Sequence, residues 1–292
     1  MTTVPSFNDL LPIRRRFARA RQINAQIARI RDAYLATDPA RLQNRHNEDG
    51  QTEVVLDVVH EPSPALPYLA GESIHQVRAA LDNLVLILAE HARGATLSDG
   101  EAQSLQFPIT SKLSGFENAL QRGSLKGLDS ELVTKIREVQ PFERYTFSGT
   151  PFPPHQHVLS RLQALSNQDK HRRVTVISRQ LDRLTFGLKE TGTPAVPAKP
   201  RIAHPPYADG DVVVTVNRPP TAFEVHPRVE IALEVPPFET PDGSRTIPQT
   251  LPLHAQLEIL AGEIADVVLG HILGMDFALR AADEDPDLLL PM

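Results

Sequence analysis

The sequence of 292 residues predicts an α+β fold, a helical layer packed against a largely antiparallel sheet, and three observations carry that reading. Apolar residues recur at spacings of three and four through most of the chain up to about residue 170. Strand-like alternation then takes over in "RRVTVIS", "RLTFGL", "DVVVTVN" and "VEIALEV". Helical spacing returns from about Leu253 to Leu273. A helix buries one stripe and a strand one face, so blocks in this order point to segregated layers rather than repeating βαβ units. The chain reads as a single domain, 1–292. Helices occupy about 10–170 and 253–274, the sheet about 171–236 with a further strand near 52–59, and an acidic tail 281–292.

The first helix begins near Leu10 and buries Ile13, Phe17, Ala20, Ile23 or Asn24, Ile27, Ile30 and Tyr34. Seven arginines (Arg14, Arg15, Arg16, Arg19, Arg21, Arg29 and Arg31) lie between Leu10 and Arg31 with no acidic residue among them. They form either a solvated helix face or a surface that contacts phosphate. In "QTEVVLDVVHEP", Val54, Leu56 and Val58 alternate with Val55, Asp57 and Val59 until Pro62 ends the strand. A helix from about Gly71 to His91 follows, with Ile74, Val77, Leu81, Leu84, Val85 and Leu88 along one side. Two shorter helices, "SGFENALQR" and "DSELVTKIREVQ", offer Ser or Asp as caps, and the second stops against Pro141. "HQHVLSRLQALSN" buries Val158 or Leu159, Leu162 and Leu165.

Beyond it, the first two strands are joined only by "RQLD", which predicts a hairpin. Ten of the 26 prolines fall in "TGTPAVPAKPRIAHPPYADG" and "VPPFETPDGSRTIPQTLP", which marks both as loops between elements. The last helix buries Leu257, Leu260, Ile264 and Val267 or Val268. Heptad-like spacing in the first and last helices allows a homodimer seam, with packing inside one chain the simpler use of the same residues.

Composition narrows the function classes. Without cysteine there are no disulfides, thiolate zinc sites or cysteine nucleophiles, which fits a cytoplasmic location. The opening "MTTVPSFNDLLPIRRR" lacks the apolar core of a secretion signal. The late apolar run is interrupted by Glu258, Glu263, Asp266 and His271, short of the roughly 20 residues a membrane span requires, so no membrane partner is expected. A net charge of −6 argues against a surface that grips nucleic acid throughout.

Two polar segments carry the candidate chemistry. In "GESIHQVRAALDNL", His75, Arg78 and Asp82 each follow a buried residue by one position and form a stripe bordering the core, with Asn83 beside it. An i,i+4 ion pair between Arg78 and Asp82 explains the spacing, and at a surface it contributes about 0.3–0.5 kcal/mol. The functional reading has Asp82 orient Arg78 to bind a phosphate or carboxylate with both prongs of its guanidinium. The second segment, "LSNQDKHRRVTV", places Asn167, Asp169, Lys170, His171 and Arg172 where a helix gives way to a strand. Asn and Asp terminate helices, and Lys and His suit a helix C-terminus, which accounts for some of the five. His155 and His157 with Asp169 and His171 match no metal motif, so no metal or cofactor is expected.

These segments resemble a set of uncharacterised bacterial proteins, common in actinomycetes, that carry "LRSALDHL", then "FPI", a "QP" and finally "HPLxxLxxLNNxDKHR". Here the matching residues are Gly71, Arg78, Ala80, Leu81, Asp82 and Leu84, then Phe107, Pro108 and Ile109, then Gln140 and Pro141. The last block is matched by His157, Leu159, Leu162, Leu165, Asn167, Asp169, Lys170, His171 and Arg172. That resemblance implies a site without naming a reaction. An arginine followed four to six residues later by a histidine also resembles the HEPN class of helical domains, many of them metal-independent ribonucleases. It implies Arg78 on the scissile phosphate, but Asn83 stands where that scheme has its histidine, and an amide is no acid or base near neutral pH. His171 or His75 would then have to move the proton.

Two functions follow. The favoured one is a non-catalytic binding or scaffold role, with a buried polar network or a pocket for a small anionic ligand. The alternative is a ribonuclease with Arg78 as phosphate clamp, His171 as proton carrier, Lys170 and Arg172 as charge stabilisers, and Asp82 and Asp169 as orienters. His75, Asn83, His157 and Asn167 complete the set of ligand-facing candidates in either case.

Overall fold

A computed structural model describes residues 5–6, 8–143, 146–147, 150–151, 154–171, 177–188, 201–202, 209–216, 223–233, 238–239, 245–246 and 251–274. The protein is α+β. In chain order its elements are α1 (Leu11–Leu35), β1 (Ala40–His46), β2 (Thr52–Val58), α2 (Ala65–Arg93), α3 (Asp99–Ala102), α4 (Leu113–Gln121) and α5 (Ser130–Glu138). They continue with β3 (Thr146–Phe147), β4 (Thr150–Pro151), α6 (Val158–His171), β5 (Ile177–Leu188), β6 (Arg201–Ile202), β7 (Val212–Val216) and β8 (Phe223–Leu233). Two short strands, β9 (Phe238–Glu239) and β10 (Arg245–Thr246), precede α7 (Leu253–Glu263), which runs through a π-helical stretch, Ile264–Leu269, into α8 (Gly270–Leu273). The chain divides into two compact units, 1–25 with 68–174 and 257–292, and 26–67 with 175–256.

The first unit is helical. Ile13, Phe17, Ala20 and Ile23 of α1 and Ile74, Val77, Leu81, Leu84, Val85 and Leu88 of α2 are all buried, so both apolar stripes are seams as the spacing predicts. Each fully buried side chain of this size contributes about 1.5–3 kcal/mol. Polar residues of α1 face α2 as well. Arg19 pairs with Glu72 at 2.7 Å, Arg16 Nη1 donates to Gln76 Oε1 at 2.9 Å, and Ser73 Oγ donates to the wholly buried Asn24 Oδ1 at 2.8 Å. Arg14 is itself buried. Arg14, Arg16 and Arg19 are thus occupied within the chain, as neither a solvated helix face nor a phosphate surface predicts.

α2 begins six residues before the Gly71 start read from the sequence. Pro64 and Pro67 look like loop residues, but at a helix's first turn their missing N–H groups forfeit no intrahelical bond, and Ser63 Oγ accepts from Ala65 N there at 3.3 Å. At the other end Gly94, with φ of 70°, takes the left-handed conformation that terminates helices. The cap read for α5 is present, Asp129 Oδ1 accepting from Leu132 N at 2.9 Å. The serine cap read for α4 is not, because Lys112 holds the cap position and Ser114 lies inside the first turn. In the last helix Leu257, Leu260, Ile264 and Val268 are buried together with Leu269, Ile272 and Leu273. Buried positions four apart drift around a 3.6-residue helix, and the wider π turn at Ile264–Leu269 offsets that drift, which selects Val268 over Val267.

The second unit holds a four-stranded antiparallel sheet in the order β1-β2-β7-β6. Thr52, Val54 and Leu56 point inward from β2, and Arg45 pairs outward with Glu53 at 2.8 Å. β1 is a strand that hydrophobic alternation does not reveal, since "ARLQNRH" is mostly polar. Its signal is the Asp49-Gly50 turn, where Gly50 has φ of 71° and closes the hairpin. The hairpin expected at "RQLD" is absent. Instead β5 runs unbroken from Ile177 to Leu188 and pairs antiparallel with β8, its register shifting between Leu181 and Arg183. "RQLD" has no Gly or Asn to supply the positive φ of a tight hairpin turn, so the chain continues and leaves Asp182 as a bulge. "RRVTV" lies outside the described residues.

Candidate functional site

The candidate site begins with a buried backbone that has no strand beside it. Phe107 is fully buried and Pro108, which follows it, has no N–H to donate. Its peptide groups therefore need partners from side chains. Arg78 and Asp82, one turn apart on α2, provide them. Asp82 Oδ1 accepts from Phe107 N at 2.9 Å, and Arg78 Nη2 donates to Phe107 O at 2.7 Å. The same Nη2 donates to Asp82 Oδ1 at 3.1 Å, which closes a triangle around one residue's backbone.

Three residues further on, Thr110 N donates to Gln140 Oε1 at 3.1 Å. Gln140, also buried, donates from Nε2 to Ile136 O at 3.1 Å and so ties this segment to α5. The segment from Phe107 to Thr110 is thus held by side chains of α2 and of the α5 end. Gln140 and Phe107 received no role from the sequence, although the "FPI" and "QP" elements contain them. A buried aromatic next to a proline was the available signal, because it leaves backbone groups that something must satisfy.

Electrostatically the clamp is asymmetric. The Arg78 side chain is 7% exposed and that of Asp82 33%. Burial pulls the Arg78 pKa below its ordinary value, and Asp82 opposes that shift. With Nη2 making two bonds, Nη1 is buried and has no hydrogen-bond partner among the described residues. Arg78 is therefore a fixed internal cation, and the modest value of a surface i,i+4 pair does not apply to it.

Of the other candidates, His75 is exposed on α2 while Arg78 is buried, so the expected polar stripe is split between solvent and core. Asn83 is half-buried. His157 is buried and caps α6, its Nδ1 accepting from Leu159 N at 3.2 Å. In a neutral ring the proton then sits on Nε2, and burial pushes the His157 pKa down. Asn167 does not end α6, which continues to His171; it is exposed, and Gln163 Nε2 donates to its Oδ1 at 2.8 Å. The helix continues because Asn at an exposed interior position costs only a few tenths of a kcal/mol, about 0.7 at most. The side chains of Asp169, Lys170 and His171, and the whole of Arg172, lie outside the described residues, as does the His155 side chain. Among the described residues no group of three His, Asp or Glu can hold a metal ion, and no helix is long and apolar enough to cross a membrane.

No family model, no curated protein and no solved structure matches the chain.

Proposed function

We propose that the protein is a non-catalytic binding or scaffold protein in which the Arg78, Asp82 and Phe107 clamp is structural. One observation carries this reading: both bonds of Arg78 Nη2 are spent on Asp82 and on the Phe107 carbonyl, inside the protein. A ribonuclease of the HEPN kind needs its arginine to meet the scissile phosphate in the transition state. Here Nη1, the other terminal nitrogen, is inaccessible, so a phosphate meets the two-pronged end of the guanidinium only by breaking the clamp. Asn83 beside it supplies no proton transfer, and His75 faces solvent.

The test is incubation of purified protein with single-stranded RNA in excess chelator. The expected result is intact RNA. Chelator-resistant cleavage that His171→Ala abolishes, without a change in melting temperature, would overturn the scaffold reading and restore the nuclease.

A further inference from the structure

A small pocket opens where α2 ends, away from the Arg78 clamp. Its volume is about 160 Å³. Ala89 of α2, which offers only a methyl group, and Gly127, which offers no side chain, lie side by side on its wall. A Cβ built on Gly127 would stand 3.8 Å from that of Ala89. Gly127 has φ of 90°, a left-handed conformation that glycine adopts without strain, so this wall stays bare. Leu97 and Leu105 form the sides. A cavity of about 150 Å³ with apolar walls accommodates a benzene ring, which sets the size of the occupant.

Charge at the rim sets its polarity. Arg93 and Glu101 are mutually paired at 2.7 Å. The second Glu101 oxygen accepts from Ser98 N at 3.0 Å and Ser98 Oγ at 2.7 Å, and these bonds with Arg93 hold the carboxyl at a pKa of about 2. Glu101 is thus ionised at any ordinary pH, and its charge is already answered. Lys126, also lining the pocket, has no ion-pair partner among the described residues. One positive charge is left over at the mouth of an apolar recess.

We infer that this pocket binds a small apolar monocarboxylate, its hydrocarbon part against Ala89, Leu97, Leu105 and Gly127 and its carboxylate at Lys126. The site is independent of the scaffold reading, since it shares no residue with the clamp. Sodium benzoate is the probe, titrated into the full chain with amide shifts followed by NMR. The expected result is saturable shifts centred on Ala89 and Gly127, with benzoate binding about threefold more tightly than benzyl alcohol. Lys126→Glu, a change at an exposed side chain, should weaken benzoate by about threefold or more. Absence of saturable shifts, shifts centred on Arg78, equal binding of benzyl alcohol, or unchanged affinity in Lys126→Glu would each overturn the inference.

Discussion

Arg78 and Asp82 stand one helical turn apart and converge on a single residue, with Arg78 Nη2 on the Phe107 carbonyl and Asp82 Oδ1 on the Phe107 N–H. A peptide group is usually satisfied in both directions by a neighbouring strand or helix turn. Here an ion pair replaces the neighbour, and its geometry is part of how the helical unit holds the connecting segment that buries Phe107.

Asp82→Ala should therefore be far more damaging than a surface ion-pair deletion. It removes the acceptor for Phe107 N and leaves the Arg78 charge buried with one fewer partner. A loss of about 3 kcal/mol is expected by chemical denaturation. Asp82→Asn keeps an acceptor oxygen and should lose about half as much. Losses below about 1 kcal/mol for the alanine variant would show that the clamp is not a buried pair in energetic terms.

Asn24 and Ser73 make the opposite case. Asn24 is wholly buried where α1 meets α2, accepts from Ser73 Oγ, and has an Nδ2 with no partner among the described residues. Ser73→Ala alone should cost about 1 kcal/mol by removing the one side-chain hydrogen bond that Asn24 makes among the described residues. Replacing both partners, as Asn24→Leu with Ser73→Ala, eliminates the unsatisfied donor, and the double variant should match or exceed wild-type stability. A double variant less stable than either single one would refute this account and show a role for the pair beyond packing.

His157 predicts a pH effect. Its folded pKa lies below the unfolded value of about 6.5, so the unfolded chain binds the proton more readily. Stability from this residue is complete above about pH 6.5 and declines as pH falls below it toward the folded pKa. His157→Asn retains a good cap for α6 and cannot titrate. Melting curves from pH 7.5 to 5 should fall less steeply for the variant than for wild type. Parallel curves would mean that His157 titrates alike in both states.

Local pattern was enough for the helical seams. Ile13, Phe17 and Ala20 of α1 and Ile74, Val77 and Leu81 of α2 are buried where three- and four-residue spacing puts them, because a stripe on a helix depends only on its own sequence. Asp129 as a cap belongs to the same class, since it acts on an amide three residues away. The residue pair at the centre of the candidate site, Arg78 and Asp82, was also visible as an i,i+4 spacing.

Its purpose was not visible, because the partner is the backbone of Phe107, 25 residues beyond Asp82, and only packing brings the two together. The same holds for Gln140 on Thr110, 30 residues apart, and for β1, a polar strand identified by its pairing with β2. β5 shows the reverse error: four residues resembled a turn locally, and pairing with β8 across a bulge kept them extended. Burial of an apolar stripe is decided by residues close in sequence, whereas satisfying a buried peptide group depends on whatever polar atom the fold brings alongside it.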